Sequence, residues 1–260
     1  SVVDLLLPIT QDLLLRVKGK RVLNMLGFYN YTVILTYLSL CTAVTGIFVG
    51  VSGTGHPFIA TTCLMVCGFL DAFDGIVARS KKDRTEQEKK FGIQIDSLVD
   101  LVAFGVLPCA IGYSCYTSHY LNSFRLSDKW HFMKPLANCK ITIFFIVFAL
   151  FVLAALIRLA YFNVMEEERQ NKTDEKRKYY LGLPVTSSCL IFPTIMLIQY
   201  IVGKGFDISP FYVVAMLIVA FLYVSKIKIK KPGLKVIMIM VAIGAVEFGF
   251  LLFFRFMYGH

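Results

Sequence analysis

Residues 140–163 read KITIFFIVFALFVLAALIRLAYFN, and past Lys140 the only charge in that run is Arg158. At 1.5 Å per residue such a helix is long enough to cross the hydrocarbon layer of a bilayer. Working outward, further apolar runs occupy about 31–52, 57–78, 93–115, 182–202, 209–225 and 234–254. The 260-residue chain is 57% hydrophobic and 17% charged, where a soluble domain carries about 25% charged residues. The expected fold class is therefore all-α, a polytopic bundle of about seven transmembrane helices.

Charge is distributed unevenly between the ends of these runs. Segments 1–30, 79–92, 164–181 and 226–235 hold 20 of the 27 Lys and Arg residues. The positive-inside rule then predicts a cytoplasmic N-terminus, with those loops on the same side and the C-terminus outside. The opening SVVDLLLPITQDLLLRVKGKRVL is amphipathic with a basic end, unlike a secretory signal. It predicts a juxtamembrane helix over 1–30 lying on the cytoplasmic face, ahead of a membrane domain over 31–260. Basic loops of this kind also suit anionic headgroups, whereas no basic surface interleaved with aromatics points to nucleic acid. The loop 116–140 carries Trp130 with Tyr116, Tyr120 and Phe124, the usual anchors of a membrane interface. The cysteines sit mostly in apolar runs and read as small buried hydrophobes, with no ligand spacing for zinc.

Four acids break the apolar pattern: Asp71 and Asp74 near the end of the second run, Asp96 and Asp100 at the start of the third. Spacings of three and four put each pair on one helix face. The connecting loop is short, so the helices are expected to be antiparallel neighbours, with all four acids within about two turns of one membrane surface. Carboxylates packed together stay ionised only if cations neutralise them. Two hard divalent ions, Mg²⁺ or Mn²⁺, meet that need and suit phosphoryl chemistry. Pairing with the loop's Lys and Arg is the plainer alternative. Gly75 and Ala78 keep the helix surface low beside the acids, for a ligand or for close helix packing. Arg79, at the same helix end, suits a diphosphate.

Asp71-x-x-Asp74-Gly75-x-x-Ala78-Arg79 followed by Gly92-x-x-x-Asp96-x-x-x-Asp100 resembles the signature of the CDP-alcohol phosphotransferases. Twelve residues separate Arg79 from Gly92 where that family usually has eight, and the extra polar residues predict a longer cytoplasmic turn. FGIQIDSLVDLVAFGVLPC, LIRLAYFNV and LGLPVTSS are similar to segments of the phosphatidylserine synthase branch. The first span, LTYLSLCTAVTG, matches roughly, with Ser39 where an Asn is common. The resemblance implies a six-helix catalytic core, a homodimer, and transfer of the phosphatidyl group from CDP-diacylglycerol to L-serine. It also implies metal ligation by Asp71, Asp74, Asp96 and Asp100, and Asp100 as general base. Gly75, Ala78, Arg79 and Gly92 would hold the cytidine diphosphate.

Arg158 lies at the depth of the acids. An intramembrane Arg is functional by default, here as a clamp for the serine carboxylate or lipid phosphate, or as a salt-bridge partner of the acids. Thr186, Ser187 and Ser188 could line the acceptor pocket or bond their own backbone. Glu247, thirteen residues into the last run, reads as a helix-packing or subunit contact. Glycerol 3-phosphate, inositol or inositol phosphate are alternative acceptors, and an archaeal ether lipid an alternative donor. A divalent-cation transporter would need polar residues continuing through the bilayer, and these acids stop near one face.

Overall fold

The computed structural model describes residues 27–28, 31–52, 57–80, 83, 85–117, 141–172, 179–202, 208–230 and 234–257. The helix expected over 1–26 and the aromatic loop of 118–140 lie outside the described residues. Each apolar run folds as a helix. A 3-10 turn, Tyr31–Val33, leads into α1, Ile34–Val51, and α2 spans Pro57–Ser80. The third rod is continuous: α3, Glu86–Asp100, a π-helical turn, Leu101–Val106, and α4, Leu107–Thr117. Then follow α5, Ile141–Lys172, a 3-10 turn, Val185–Ser187, α6, Ser188–Val202, α7, Ser209–Val224, and α8, Leu234–Met257. Tyr31–Val51, Pro57–Gly75, Glu86–Tyr116 and Ile143–Arg169 are each long and apolar enough to cross a membrane. The shorter helices Val185–Gln199, Ser209–Val224 and Met238–Phe253 are equally apolar in character. The protein is an integral membrane protein with an all-α bundle.

The third rod is the axis of the bundle. Of its most apolar window 67% is buried, against 33–44% in the other three long spans. Its Phe104, Leu107 and Ile111 are fully buried and meet Leu64 of α2, Phe151 of α5, Phe192 of α6 and Tyr212 of α7 in one core. The outer faces carry Phe48, Ile146, Leu150, Phe221 and Phe253, all exposed, as a lipid-facing surface requires.

Lipid tails are as apolar as the helices, so close packing and internal hydrogen bonds, not exclusion of water, hold the rods together. Small residues permit that approach: a Cβ on Gly46 of α1 would meet Cys63 Cβ at 2.7 Å and Leu107 Cδ1 at 2.9 Å. Two buried phenols tie the second half of the chain to the first. Tyr212 donates to Pro108 O at 2.9 Å, and Tyr223 to Val185 O at 3.1 Å.

Two local features were not read from the sequence. Tyr179–Leu181 pairs antiparallel with Lys228–Lys230, a two-stranded ribbon joining the approaches to α6 and α8. Gly182 ends that ribbon at φ +75°, donating to Ile227 O at 2.8 Å. A Cβ there would lie 2.6 Å from Tyr223 O, so strain and clash coincide. Gly182→Ala is expected to cost about 2–3 kcal/mol, read as a lower denaturation midpoint of the purified protein in detergent.

The segment between Arg79 and Gly92 also differs from the longer turn expected. Thr85 accepts from Glu88 N at 3.1 Å and donates its own N–H to Glu88 Oε2 at 3.0 Å, a complete capping box. That box starts α3 at Glu86, so the residues ahead of Gly92 are taken up as additional helix. Phe91 in this added turn packs edge-on against Phe28 at 5.4 Å.

Candidate active site

The site forms where α2 ends and α3 runs into the π turn. α2 packs against α4 more than against α3, so the acid-bearing ends diverge and their side chains face a gap. Across it, one carboxylate oxygen each from Asp71, Asp96 and Asp100 lie within 4.8 Å of one another. Asp74 joins them through hydrogen-bond contact with Asp96. The four acids of the sequence reading therefore converge, and Asp71, Asp96 and Asp100 form the tightest group.

Asp100 closes α3 and immediately precedes the π turn. In that turn the Leu107 N–H reaches Val102 O, five residues back rather than four. Pro108 accounts for part of this, since it has no N–H to give and its ring crowds the carbonyl one turn earlier. Cys109 Sγ donates to Gly105 O at 3.3 Å within the same stretch. A π turn inside an α-helix is frequently found at functional sites.

α5 forms the third wall. Asn163 donates through Nδ2 to Ser97 Oγ at 2.8 Å, pinning α5 to α3 between Asp96 and Asp100. Sequence reading placed Asn163 in a motif without a role and overlooked Ser97. The signal available was Ser97's position between two acids that share a helix face. One turn earlier, Arg158 is 8% exposed and, among the described residues, the only buried cation. Its Nε donates to Leu183 O at 3.1 Å, and its guanidinium lies 4.9 Å over the Phe162 ring. It is near enough to Asp100 for direct electrostatic interaction. The side chain is thus held by a carbonyl on one edge and an aromatic face on the other.

Leu183 belongs to the turn that leads into α6. Its N–H donates to Leu222 O at 3.0 Å, so the ribbon and Gly182 fix the carbonyl that orients Arg158. Thr186 and Ser187 follow in the 3-10 turn, both half-buried. Ser187 donates to Pro184 O at 2.6 Å, which leaves its lone pairs for a ligand. Gly75 sits on α2 beside Asp74, and Gly92 one turn before Asp96 on α3. Ala78 and Arg79 continue α2 as helix, but their side chains lie outside the described residues.

The donor set fits hard divalent cations. It consists of carboxylate oxygens from two helices, spaced for shared ligation, with no nitrogen or sulfur ligand among them. Without cations three such carboxylates in a half-buried gap would repel one another. Helix-borne acids facing a gap at the end of a membrane bundle are suited to bind a lipid-linked diphosphate and place a second reactant beside it.

Comparison with known proteins agrees. The model of the family described as CDP-alcohol phosphatidyltransferase matches residues 29–254. A Helicobacter pylori protein named CDP-diacylglycerol–serine O-phosphatidyltransferase is 30% identical over 140 residues, covering 53% of this chain and 46% of that protein. A Saccharomyces cerevisiae protein of the same name is 31% identical over 144 residues, covering 54% and 42%. One from Mycobacterium tuberculosis is 24% identical over 178 residues, covering 68% and 52%. The chain spans about half the length of the curated relatives it matches.

Proposed function

The chain belongs to the CDP-alcohol phosphatidyltransferase family, and on that premise we propose that it transfers the phosphatidyl group of CDP-diacylglycerol to the hydroxyl of L-serine. The oxygen–phosphorus bond to serine forms as the bond to CMP breaks, and the serine hydroxyl proton leaves with a base. The observation that carries this reading is the approach of Asp71, Asp96 and Asp100 to within 4.8 Å across the gap between α2 and α3. The names of the relatives support serine as acceptor.

Two divalent ions, Mg²⁺ or Mn²⁺, held by Asp71, Asp74, Asp96 and Asp100, would supply charge neutralisation on the diphosphate and polarise the phosphorus under attack. The remaining tasks fall to the chain itself. Gly75, Ala78, Arg79 and Gly92 border the cytidine diphosphate at the ends of α2 and α3. Asp100 accepts the serine hydroxyl proton on a carboxylate oxygen, because that hydroxyl is a poor nucleophile at neutral pH. Arg158, beside Asp100 and preset by Leu183 O and Phe162, holds the serine carboxylate. Thr186 and Ser187 border the acceptor on the far side. The basic loops place this mouth on the cytoplasmic face, where serine is available, and family resemblance suggests a homodimer.

The decisive experiment supplies the purified protein with CDP-diacylglycerol, Mn²⁺ and labelled serine and follows CMP release and labelled lipid. The expected product is phosphatidylserine. CMP release with glycerol 3-phosphate or inositol, and none with serine, would sink the acceptor assignment while leaving the donor chemistry standing.

A further inference from the structure

A fifth acid lies away from the site. Glu247 is on α8, which packs against α2 and α6, and its Oε1 is 2.5 Å from Thr194 Oγ1 on α6. Thr194 Oγ1 is also 2.7 Å from Leu190 O, one turn back on its own helix. The other carboxyl oxygen of Glu247, Oε2, is buried with no hydrogen-bond partner.

A hydroxyl has one proton to donate and lone pairs to accept with. Leu190 O can only accept, so the Thr194 proton satisfies it, and the short contact to Glu247 then needs a proton from the carboxyl. An ionised carboxylate would instead leave Leu190 O without that donor and a charged Oε2 buried bare, a far costlier arrangement.

No cation is available to offset such a charge. α6 over 188–202 and the facing part of α2 over 57–70 contain no charged residue. On α8 itself the nearest basic positions, Lys235 and Arg255, are about 18 and 12 Å away along the helix axis. Among the described residues no salt bridge involves Glu247.

We propose that Glu247 is a neutral carboxylic acid serving as a hydrogen-bond donor, a clamp that fastens the last helix to α6 inside the membrane through the chain Glu247 to Thr194 to Leu190 O. It is a positioning residue. Apolar contacts of Phe58, Met65, Leu197, Phe248 and Leu251 surround the same three-helix junction. Through α6 the clamp reaches the site's wall: a Cβ on Gly68 of α2 would meet Cys189 Sγ at 2.3 Å, and Gly68 is one turn from Asp71.

Glu247→Gln tests this directly, because glutamine keeps a neutral donor of the same length. It is expected to match the parent protein in stability and phosphatidyl transfer. Glu247→Ala and Thr194→Val should each lower the folded-to-unfolded ratio by about threefold to twentyfold, the range for hydrogen bonds between membrane helices, read by chemical denaturation in detergent. Infrared spectra of the parent protein in lipid should show the carbonyl stretch of a protonated carboxyl, absent in Glu247→Gln. A glutamine variant as impaired as the alanine one, or a parent spectrum without that band, overturns the clamp. The spectrum decides even where Glu247→Ala fails to fold, and neither readout depends on which acceptor the enzyme uses.

Discussion

Asp100→Asn is expected to lower kcat for phosphatidyl transfer by about 10³-fold, within the range for loss of a general base, while the CDP-lipid still binds. Asparagine has the same shape but offers no carboxylate to take the serine proton. Its amide oxygen can still face a cation, so the donor's diphosphate keeps most of its support from Asp71, Asp74 and Asp96. Asp100 also differs from its neighbours in position, since it sits at the junction of α3 with the π turn and beside Arg158. Single-turnover rates together with calorimetric titration of CDP-diacylglycerol separate the two effects. A variant that turned over normally would remove Asp100 from the base role. One that lost donor binding in proportion to turnover would make it a ligand alone.

Arg158 carries the second large effect. Arg158→Ala removes the only buried cation described, leaves Leu183 O without its donor and leaves Asp100 facing the remaining acids alone. Breaking a buried charge pair from one side costs about 3–5 kcal/mol, so activity is expected to fall by about 10²–10³-fold. Arg158→Lys retains the charge but not the planar fork that bonds Leu183 O while lying over Phe162. It should show a raised KM for serine with the KM for CDP-diacylglycerol little changed. An unchanged serine KM in the lysine variant would assign Arg158 to holding the acids in place instead of holding the acceptor.

Much of this was legible from residue order alone, for identifiable reasons. Lipid leaves the backbone few options, so an apolar run such as 140–163 dictates a helix, and all seven runs became one. Asp71, Asp74, Asp96 and Asp100 could be brought together on paper because helical periodicity and a short connection leave them little freedom. Arg158 stood out because charges are rare at that depth. What was missed depends on contacts between distant segments or on ladder defects. The pairing of Tyr179–Leu181 with Lys228–Lys230 joins segments nearly fifty residues apart, and neither strand has an alternating pattern long enough to announce it. Thr85 and Glu88 did carry a capping-box spacing, but the polar loop around them drew the reading toward a turn. Asn163 needed Ser97 across a helix interface to acquire a role. Glu247 was read as a packing contact, and its bond to Thr194 gives that reading a partner.

The π turn at Leu101–Val106 has a consequence for how this rod tolerates change in length. In an ordinary α-helix, deleting one residue swings everything beyond it by about 100° and would aim either the acids or the core face the wrong way. A wide turn already accommodates one residue more than the α repeat needs. Shortening the chain by one within 101–106 can therefore be absorbed by tightening that turn, with Asp96 and Asp100 still aimed at the gap and Leu107 and Ile111 still in the core. The acid-bearing half and the buried half of the rod are two angular registers coupled through an adjustable joint, and a one-residue deletion should be gentler there than anywhere else along it.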